Sequence, residues 1–497
     1  MRRSRTCLAL VLATLVTTVA LTPWGSSPAT AGDTTGTGAW RLQQPALAGE
    51  IEGYADRVSG EPGAPVQLSV STVDPWYTVT AYRFGDYTGG PAHVVWTSSQ
   101  LAGVQQPPPT LTPYATRTVT ANWPTSVKVP TAGWAPGVYL FKLEGASGYQ
   151  AHIPYIVRSS STSGTVAIVL PVATWQAYNN WGGYSLYDGP DGDRHSWAVS
   201  CDRPYASPGT AHMRYDVIPA VLLAERMNIP VSYLANTDLA LDPGVLQGAR
   251  AYVSLGHDEY WSREMRDAVV AARDTGTNLA FLGANTMYWR VRLESSARDV
   301  PGRVVVGYKW DARNNDPLYA SDPELATTRW RDAPSPEPEN AVTGMQYECY
   351  PVDTAYRVVS PRWWGFRQTA VAKGTRFPHL VGNEADRVYP IDTTPRPLQV
   401  LSYSKYSCRG AGTSSQSTYY TTPSGAAVFN AGTLRWVCAI YDPCGSAQLT
   451  KETNHFVRHV TRNLLHPYAK GPAGLTHPAH DNVANFALPT VNEVPAS

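Results

Sequence analysis

The stretch Ala251-Tyr-Val-Ser-Leu-Gly-His-Asp-Glu-Tyr-Trp-Ser262 decides the fold, because an apolar run ends at a glycine and is followed directly by a histidine and two carboxylates. Residues 251–255 predict a strand that is buried on both faces. Residues 262–272 have helical periodicity, with Ser262 in the N-cap position. The stretch therefore predicts a strand, a short loop and a helix.

His257, Asp258 and Glu259 fall in this predicted loop, at the carboxyl end of the strand. In open α/β sheets, ligands bind at the carboxyl ends of the strands. The loop is therefore a candidate functional site. The alternative is that these side chains cap the helix and anchor a surface loop.

Strands and helices alternate on both sides of this stretch, which predicts βαβ units around a mostly parallel sheet and hence an α/β fold. The predicted elements are a strand at 165–170, a helix at 217–228, and strands at 231–234 and 278–283. Polar loops follow three strand-like runs, at 174–188, 256–259 and 283–290. If the sheet is doubly wound, these loops converge on one edge.

The N-terminal part has a different pattern, with short alternating segments separated by Pro- and Gly-containing turns, typical of an antiparallel β-sandwich. The predicted organisation is a signal peptide at 1–31, the sandwich at 40–158, a linker at 159–164, the α/β domain with irregular β-rich insertions at 165–468, and a loosely ordered tail at 469–497.

The first 31 residues predict export. Three arginines precede an apolar run, and Ala29-Thr-Ala31 offers a cleavage site for a secretory signal peptide. Arg2-Arg3 raises the twin-arginine route, but the residues that follow favour the ordinary secretory route. We therefore expect a secreted, extracellular protein, and no other apolar run is long enough to span a bilayer.

The cysteines of the mature chain predict disulfides, as is usual in an exported protein, with one thiol left over. Cys438 and Cys444 are close enough to close a loop, and Cys349 with Cys408 is the next pairing we expect, although spacing does not determine connectivity. Zinc binding is the weaker interpretation, because the chain has no CxxC pair. A formal net charge of +1 argues against a nucleic-acid partner.

Across roughly residues 48–465 the ordered set of motifs resembles the large (beta) subunit of N,N-dimethylformamidase and its relatives. The motifs that carry the resemblance are Ile51-Glu-Gly-Tyr-Ala-Asp-Arg-Val-Ser59, Tyr82-Arg-Phe-Gly-Asp-Tyr-Thr-Gly-Gly90, Ala177-Tyr-Asn-Asn180, Ser185-Leu-Tyr187, Gly256-His-Asp-Glu-Tyr-Trp-Ser262, Gly283-Ala-Asn-Thr-Met-Tyr-Trp-Arg290, Val381-Gly-Asn-Glu-Ala-Asp-Arg387 and Gly425-Ala-Ala-Val-Phe-Asn-Ala-Gly432.

The resemblance implies a glutamine-amidotransferase-like α/β domain that holds one ferric iron (Fe3+). The ligands it implies are Tyr178, Tyr187 and Glu259. Phenolate and carboxylate are hard oxygen donors and suit a hard, highly charged cation. The implied reaction is metal-assisted hydrolysis of a small amide.

The resemblance also implies roles for three further residues. His257 is expected to move a proton, Asn285 to orient the substrate or its oxyanion, and Glu384 to act as a general base. The alternatives are structural: Asn285 caps a turn, and Glu384 pairs with Arg387.

The chain departs from the family pattern near its second tyrosine. Tyr187 is followed by Asp-Gly-Pro-Asp-Gly, the nearest histidine is His195, and the connection from Tyr178 is much shorter. The substrate is therefore open, a small partner subunit is not assumed, and a homo-oligomer is possible. Two other functions compete: a secreted carbohydrate- or cell-wall-binding protein without catalysis, and a glycoside hydrolase that uses Asp258 with Glu259.

Overall fold

The structure is a computed structural model that describes residues 35–491 except positions 112, 191, 193, 207–211 and 443. The predicted signal peptide lies outside the described residues. The described residues form one compact unit, so the division at 158–164 into two domains stays a prediction.

The part before residue 158 is built from short strands. They are β1 Ile51–Ala55, β2 Ser59–Gly60, β3 Val66–Thr72, β4 Trp76–Tyr87, β5 Gly90–Thr97, β6 Leu101–Ala102, β7 Thr110–Leu111, β8 Val119–Thr120, β9 Val127–Val129, β10 Gly137–Gly145 and β11 Gln150–Val157.

Two of the sheets in this part pack face to face. One has the order β1-β3-β9; the other has the order β2-β11-β10-β4-β5, with β6 also paired to β4. All pairs are antiparallel except β2 with β11. Apolar side chains of both sheets, among them Val70, Val79 and Phe141, form one buried cluster. This is the arrangement of a β-sandwich.

The rest of the chain alternates strands with helices. The strands are β12 Val166–Leu170, β13 Ala198–Ser200, β14 Val231–Ala235, β15 Ala251–His257, β16 Tyr260–Ser262, β17 Asn278–Ala284, β18 Trp289–Glu294, β19 Val304–Val306, β20 Gln346–Arg357, β21 Arg376–Arg387, β22 Leu398–Cys408, β23 Ala411–Thr421 and β24 Ala427–Asn430. The α-helices are α1 Val172–Tyr178, α2 Ile218–Arg226, α3 Asn236–Leu241, α4 Arg263–Asp274, α5 Ala312–Asn315, α6 Asn340–Thr343 and α7 Lys451–Tyr468.

A seven-stranded sheet organises this part, in the order β14-β12-β15-β17-β24-β23-β22. The first five strands are parallel, and β23 and β22 are antiparallel additions. The predicted strands at 165–170, 231–234, 251–255 and 278–283 are confirmed as β12, β14, β15 and β17. The smaller sheets have the orders β13-β19-β18-β16 and β20-β21, and β7 pairs with β8 in the N-terminal part.

Helices cover both faces of the central sheet. Along β12, Ile168 belongs to the core shared with α2 and α7, whereas Val169 belongs to the core shared with α4. This alternation explains why the strands are apolar throughout. Ser262 caps α4 as predicted, because its Oγ accepts a hydrogen bond from the N–H of Met265 at 3.3 Å. The fold is thus mixed α/β with several sheets, including antiparallel ones.

A partly buried ion pair joins the sandwich to a helix of the central sheet. Arg83 on β4 lies 2.7 Å from the carboxylate of Glu225 on α2. Tyr233 on β14 donates a hydrogen bond to the same carboxylate at 2.8 Å. Apolar residues of β4, including Phe84, share a core cluster with α2. The two parts are therefore in close contact over both polar and apolar surface.

Both predicted disulfides are confirmed. Cys349 is bonded to Cys408 and Cys438 to Cys444, with Cα separations of 6.3 and 5.3 Å. Cys201 is a buried free thiol. Within the described residues, no helix is long and apolar enough to cross a membrane.

The C-terminal segment is packed more closely than predicted. Asp481 pairs with Arg396, and Asn482 exchanges hydrogen bonds with the main chain of Val400 at 2.7 and 3.0 Å. Phe486 stacks on Tyr403 with ring centroids 5.3 Å apart. The tail that we expected to be loosely ordered is docked on β22 over residues 481–486.

We predict that Arg83→Met lowers the free energy of unfolding by about 2–3 kcal/mol, below the full cost for a buried pair, because it leaves the partly buried Glu225 carboxylate without its ion-pair partner. Arg226→Met is the matched control, since Arg226 forms an exposed pair with Asp86 and should cost less than about 1 kcal/mol. Urea denaturation followed by circular dichroism measures both. Equal effects of the two variants would contradict the assignment.

Candidate metal centre

Three of the predicted site residues lie where adjacent parallel strands end. α1 follows β12 and ends at Tyr178, β15 ends at His257, and Asn285 follows β17 directly. Since β12, β15 and β17 are adjacent and parallel, their carboxyl ends meet at one edge of the sheet. The predicted convergence of the three loops is confirmed.

Tyr187 reaches the same edge through a loop that folds back onto α1. The N–H of Leu186 donates to the carbonyl oxygen of Ala177 at 2.9 Å, and the N–H of Tyr187 donates to Oγ of Ser185 at 3.0 Å. As a result, the rings of Tyr178 and Tyr187 stack with centroids 4.6 Å apart. The short connection thus still brings the two tyrosines together.

The two tyrosine hydroxyls and the Glu259 carboxylate form a triangle of oxygen atoms. The hydroxyl of Tyr178 lies 3.1 Å from that of Tyr187 and 2.8 Å from Oε2 of Glu259. The hydroxyl of Tyr187 lies 3.2 Å from Oε1 and 3.4 Å from Oε2 of Glu259. Tyr178 is 37% exposed, so solvent reaches one side of the triangle.

This triangle fits a metal ion. Three atoms separated by 3.1, 2.8 and 3.4 Å lie on a circle of radius about 1.8 Å, so a point about 2 Å from all three exists. All three donors are hard oxygens, as a ferric ion prefers. Among the described residues, no group of three or more His, Cys, Asp and Glu is arranged to hold a metal ion. A set of two tyrosines and one glutamate is a different kind of site.

His257, Glu384 and Asn285 lie beside the triangle. Nε2 of His257 is 3.3 Å from Oε2 of Glu259, 3.4 Å from Oε2 of Glu384 and 3.3 Å from Nδ2 of Asn285. Oε2 of Glu384 and Oδ1 of Asn285 are buried and have no hydrogen-bond partner among the described residues. Arg387 pairs with Glu348 at 3.1 Å and not with Glu384, whose ion-pair partner is His257. All six predicted site residues are therefore brought together.

Burial and the neighbouring charges keep protons on the two tyrosines and on His257. Burial, followed by the charge of Glu259, raises the pKa values of Tyr178 and Tyr187 well above 10. Burial also raises the pKa of Glu384 to about 7. Burial lowers the pKa of His257, but the nearby carboxylates of Glu384 and Glu259 outweigh it, and the pKa rises to about 9. A bound cation would favour the ionised phenols and carboxylates.

Sequence reasoning missed three side chains around Tyr187. Tyr260 donates a hydrogen bond to the Tyr187 hydroxyl at 2.7 Å. The ammonium of Lys309 lies 3.3 Å from the Tyr187 ring centroid and has no hydrogen-bond partner among the described residues. The exposed indole of Trp310 meets the Tyr187 ring edge-on at 6.3 Å. Tyr260 lies in the stretch 251–262, but no sequence pattern distinguishes Lys309.

Asp258 does not face the triangle. Its carboxylate accepts hydrogen bonds from Oγ of Ser254 at 2.8 Å, from Nδ2 of Asn236 at 3.2 Å and from the hydroxyl of Tyr252 at 3.4 Å. None of these groups contacts Glu259, so the two adjacent carboxylates do not form a catalytic pair. The glycoside hydrolase alternative is wrong on this point, because adjacent side chains point into different surroundings.

We predict unequal losses of stability when these neighbouring carboxylates are removed. Asp258→Ala should lower the free energy of unfolding by about 1–3 kcal/mol, because buried donors lose their acceptor. Glu259→Ala should cost less than Asp258→Ala: it removes a partner of His257, but it also relieves the repulsion between Glu259 and Glu384, and the hydroxyls of Tyr178 and Tyr187 still bond each other. Thermal and urea denaturation of the two variants measure this, and a larger loss for Glu259→Ala would contradict the assignment.

Comparison with protein families gives one match over residues 78–448, about three quarters of the chain, to the family described as N,N-dimethylformamidase beta subunit-like, C-terminal. The match spans every residue of the candidate metal centre. Comparison with curated proteins gives no match. The chain belongs to the N,N-dimethylformamidase beta subunit-like family.

Proposed function

We propose that the protein is a secreted, iron-dependent hydrolase of small linear amides. The observation that carries the proposal is the triangle of Tyr178, Tyr187 and Glu259 oxygens, all within 3.4 Å of one another. Membership of the dimethylformamidase-like family supports a hydrolase that cleaves amides at a coarse level. Its substrate is not assumed to be N,N-dimethylformamide.

The fold supports the same proposal. Five parallel strands with helices on both faces agree with a glutamine-amidotransferase-like domain, which we propose for this part. The free thiol, Cys201, is buried and follows β13, which lies outside the central sheet. It is therefore poorly placed to act as an amidotransferase nucleophile, and a metal would take over that role.

Ferric iron, when bound, would polarise a carbonyl oxygen and increase the acidity of water. Tyr178, Tyr187 and Glu259 would hold it. Tyr260 orients the Tyr187 hydroxyl through its 2.7 Å hydrogen bond. Partners of this kind fix the direction and basicity of the ligands.

The neighbouring residues supply acid–base chemistry. Oε2 of Glu384 is buried beside His257, and burial raises the pKa of Glu384 to about 7, so near neutral pH it can both accept and release a proton. His257 contacts both glutamates and can pass a proton between them. The unpartnered Oδ1 of Asn285 can accept a hydrogen bond from the N–H of a substrate amide.

Export remains part of the proposal. Two disulfides are typical of proteins in oxidising compartments, and this agrees with the predicted signal peptide. A small partner subunit is not assumed, and a homo-oligomer stays possible.

We predict that the mature protein, purified with ferric iron, binds one iron per chain and has a visible tyrosinate-to-iron charge-transfer band. Tyr178→Phe and Glu259→Ala should abolish the band and most of the iron content, because each removes one oxygen of the triangle. Tyr184→Phe, in the same loop but outside the triangle, is the matched control and should keep both. A colourless wild-type protein that takes up no iron would favour the non-catalytic binding protein.

We predict that Glu384→Gln lowers kcat for amide hydrolysis by about 10²–10⁴-fold with iron content unchanged, because the amide cannot exchange a proton. The assay is amine release from a panel of linear amides that includes N,N-dimethylformamide. Iron-loaded wild-type protein that hydrolyses none of the panel would argue against the hydrolase, and full activity in the variant would remove Glu384 from the mechanism.

A further inference from the structure

Arg203 is a fully buried arginine, 1% exposed, in the loop that follows β13. A guanidinium group has five N–H donors in a rigid, planar fork. In Arg203 these donors all point to main-chain carbonyl oxygens. The acceptors are Ser200 at 3.2 Å from Nε, Trp181 at 3.0 Å and Tyr184 at 2.8 Å from Nη1, and Asn179 at 2.6 Å and Gln176 at 3.5 Å from Nη2.

Four of these five carbonyls belong to one segment, residues 176–184. That segment contains Tyr178 and leads directly to the loop of Tyr187. Arg203 therefore holds the main chain on both sides of the C-terminal end of α1, from Gln176 across to Tyr184. No carboxylate among the described residues pairs with Arg203, so its geometry is set by this segment together with the Ser200 carbonyl.

The segment needs such support because its two glycines leave the backbone free to adopt many conformations. Gly182 and Gly183 both have positive φ angles, +76° and +86°, which other residues rarely adopt. Glycine loses more conformational freedom on ordering than any other residue. Between residues 179 and 184 the only regular structure is one 3₁₀ turn at Trp181–Gly183. The hydrogen bond from Leu186 to Ala177 closes this connection, but the main chain between the two tyrosines depends on outside groups to fix its course, and Arg203 supplies four of those hydrogen bonds.

Arg203 also differs from its closest counterpart. Arg303 is buried nearby, but its guanidinium donates to the carboxylate of Asp202 at 2.8 Å and to the carbonyls of Ala55 and Cys201 at 2.9 Å each. Arg303 thus ties the loop after β13 to the sandwich, and none of these hydrogen bonds goes to residues 176–184. Comparing variants of Arg203 and Arg303 therefore distinguishes a general loss of stability from a specific effect on residues 176–184.

We propose that Arg203 is a positioning residue that sets the separation of the Tyr178 and Tyr187 hydroxyls in the candidate metal centre. The expected change in iron affinity rests on the proposed function, whereas the expected change in hydrogen exchange over residues 176–187 does not. Groups that orient metal ligands in this way typically change metal affinity by about 10–100-fold when removed. Arg203 acts through the main chain rather than through a ligand's side chain.

The test compares Arg203→Met, Arg203→Lys and the control Arg303→Met in the mature protein. Hydrogen–deuterium exchange on the iron-free protein reports on residues 176–187. Competition with nitrilotriacetate gives the ferric iron affinity, and the visible spectrum gives the charge-transfer maximum. Thermal denaturation shows whether each variant folds.

Arg203→Met should accelerate exchange across residues 176–187, weaken iron binding by at least about tenfold and shift the charge-transfer band. Arg203→Lys should recover part of each loss, and Arg303→Met, which removes bonds to the residues just before Arg203, should change all three readouts less than Arg203→Met even where it lowers thermal stability more. If Arg203→Met does not fold, the comparison of Arg203→Lys with Arg303→Met decides. If hydrogen exchange and iron affinity in Arg203→Met equal those of Arg303→Met, the proposal is wrong. If the wild-type protein binds no iron, the proposed function is wrong, and hydrogen exchange alone then tests the role of Arg203.

Discussion

The crowding of acidic oxygens between Tyr178, Tyr187 and Glu259 is the constraint on which the site depends. Groups that lie 2.8–3.4 Å apart in a buried position cannot all ionise without a cation, and burial with the charge of Glu259 raises both tyrosine pKa values accordingly. In the absence of a cation, the hydroxyl protons hold the three groups together as hydrogen bonds. A ferric ion would replace those protons with its own charge, so the same arrangement of oxygens suits both the metal-free and the iron-bound site.

The fold supplies this crowding from rigid elements. β12, β15 and β17 are adjacent and parallel, and each delivers one polar segment to the same edge of the sheet. Gly256, with φ of +58°, ends the apolar run of β15 where any Cβ would meet the side chain of Asp216 at 2.7 Å. The turn then presents His257 and Glu259 to the site. The β20–β21 hairpin adds Glu384 from the other side, 3.4 Å from His257.

Four strands of the central sheet, the cap at Ser262 and the convergence of three loops followed from the sequence, because periodicity and strand ends are local signals. Tyr178, Tyr187 and Glu384 required the family resemblance, since no local pattern distinguishes two tyrosines among 29. Lys309 and Arg203 were missed for a different reason. Both reach the site from loops after other strands, and only the folded chain shows that one ammonium lies over Tyr187 and one guanidinium holds the segment of Tyr178. The C-terminal tail was misjudged because its contacts with β22 come mainly from polar and single aromatic side chains without periodicity.

Anomalous diffraction at the iron absorption edge, from crystals of the mature protein grown with ferric iron, tests the central claim most directly. The account predicts one strong peak about 2 Å from the hydroxyl oxygens of Tyr178 and Tyr187 and from the carboxylate of Glu259. A fully occupied peak elsewhere in the protein, or no peak at this triangle in crystals that contain iron, would contradict it.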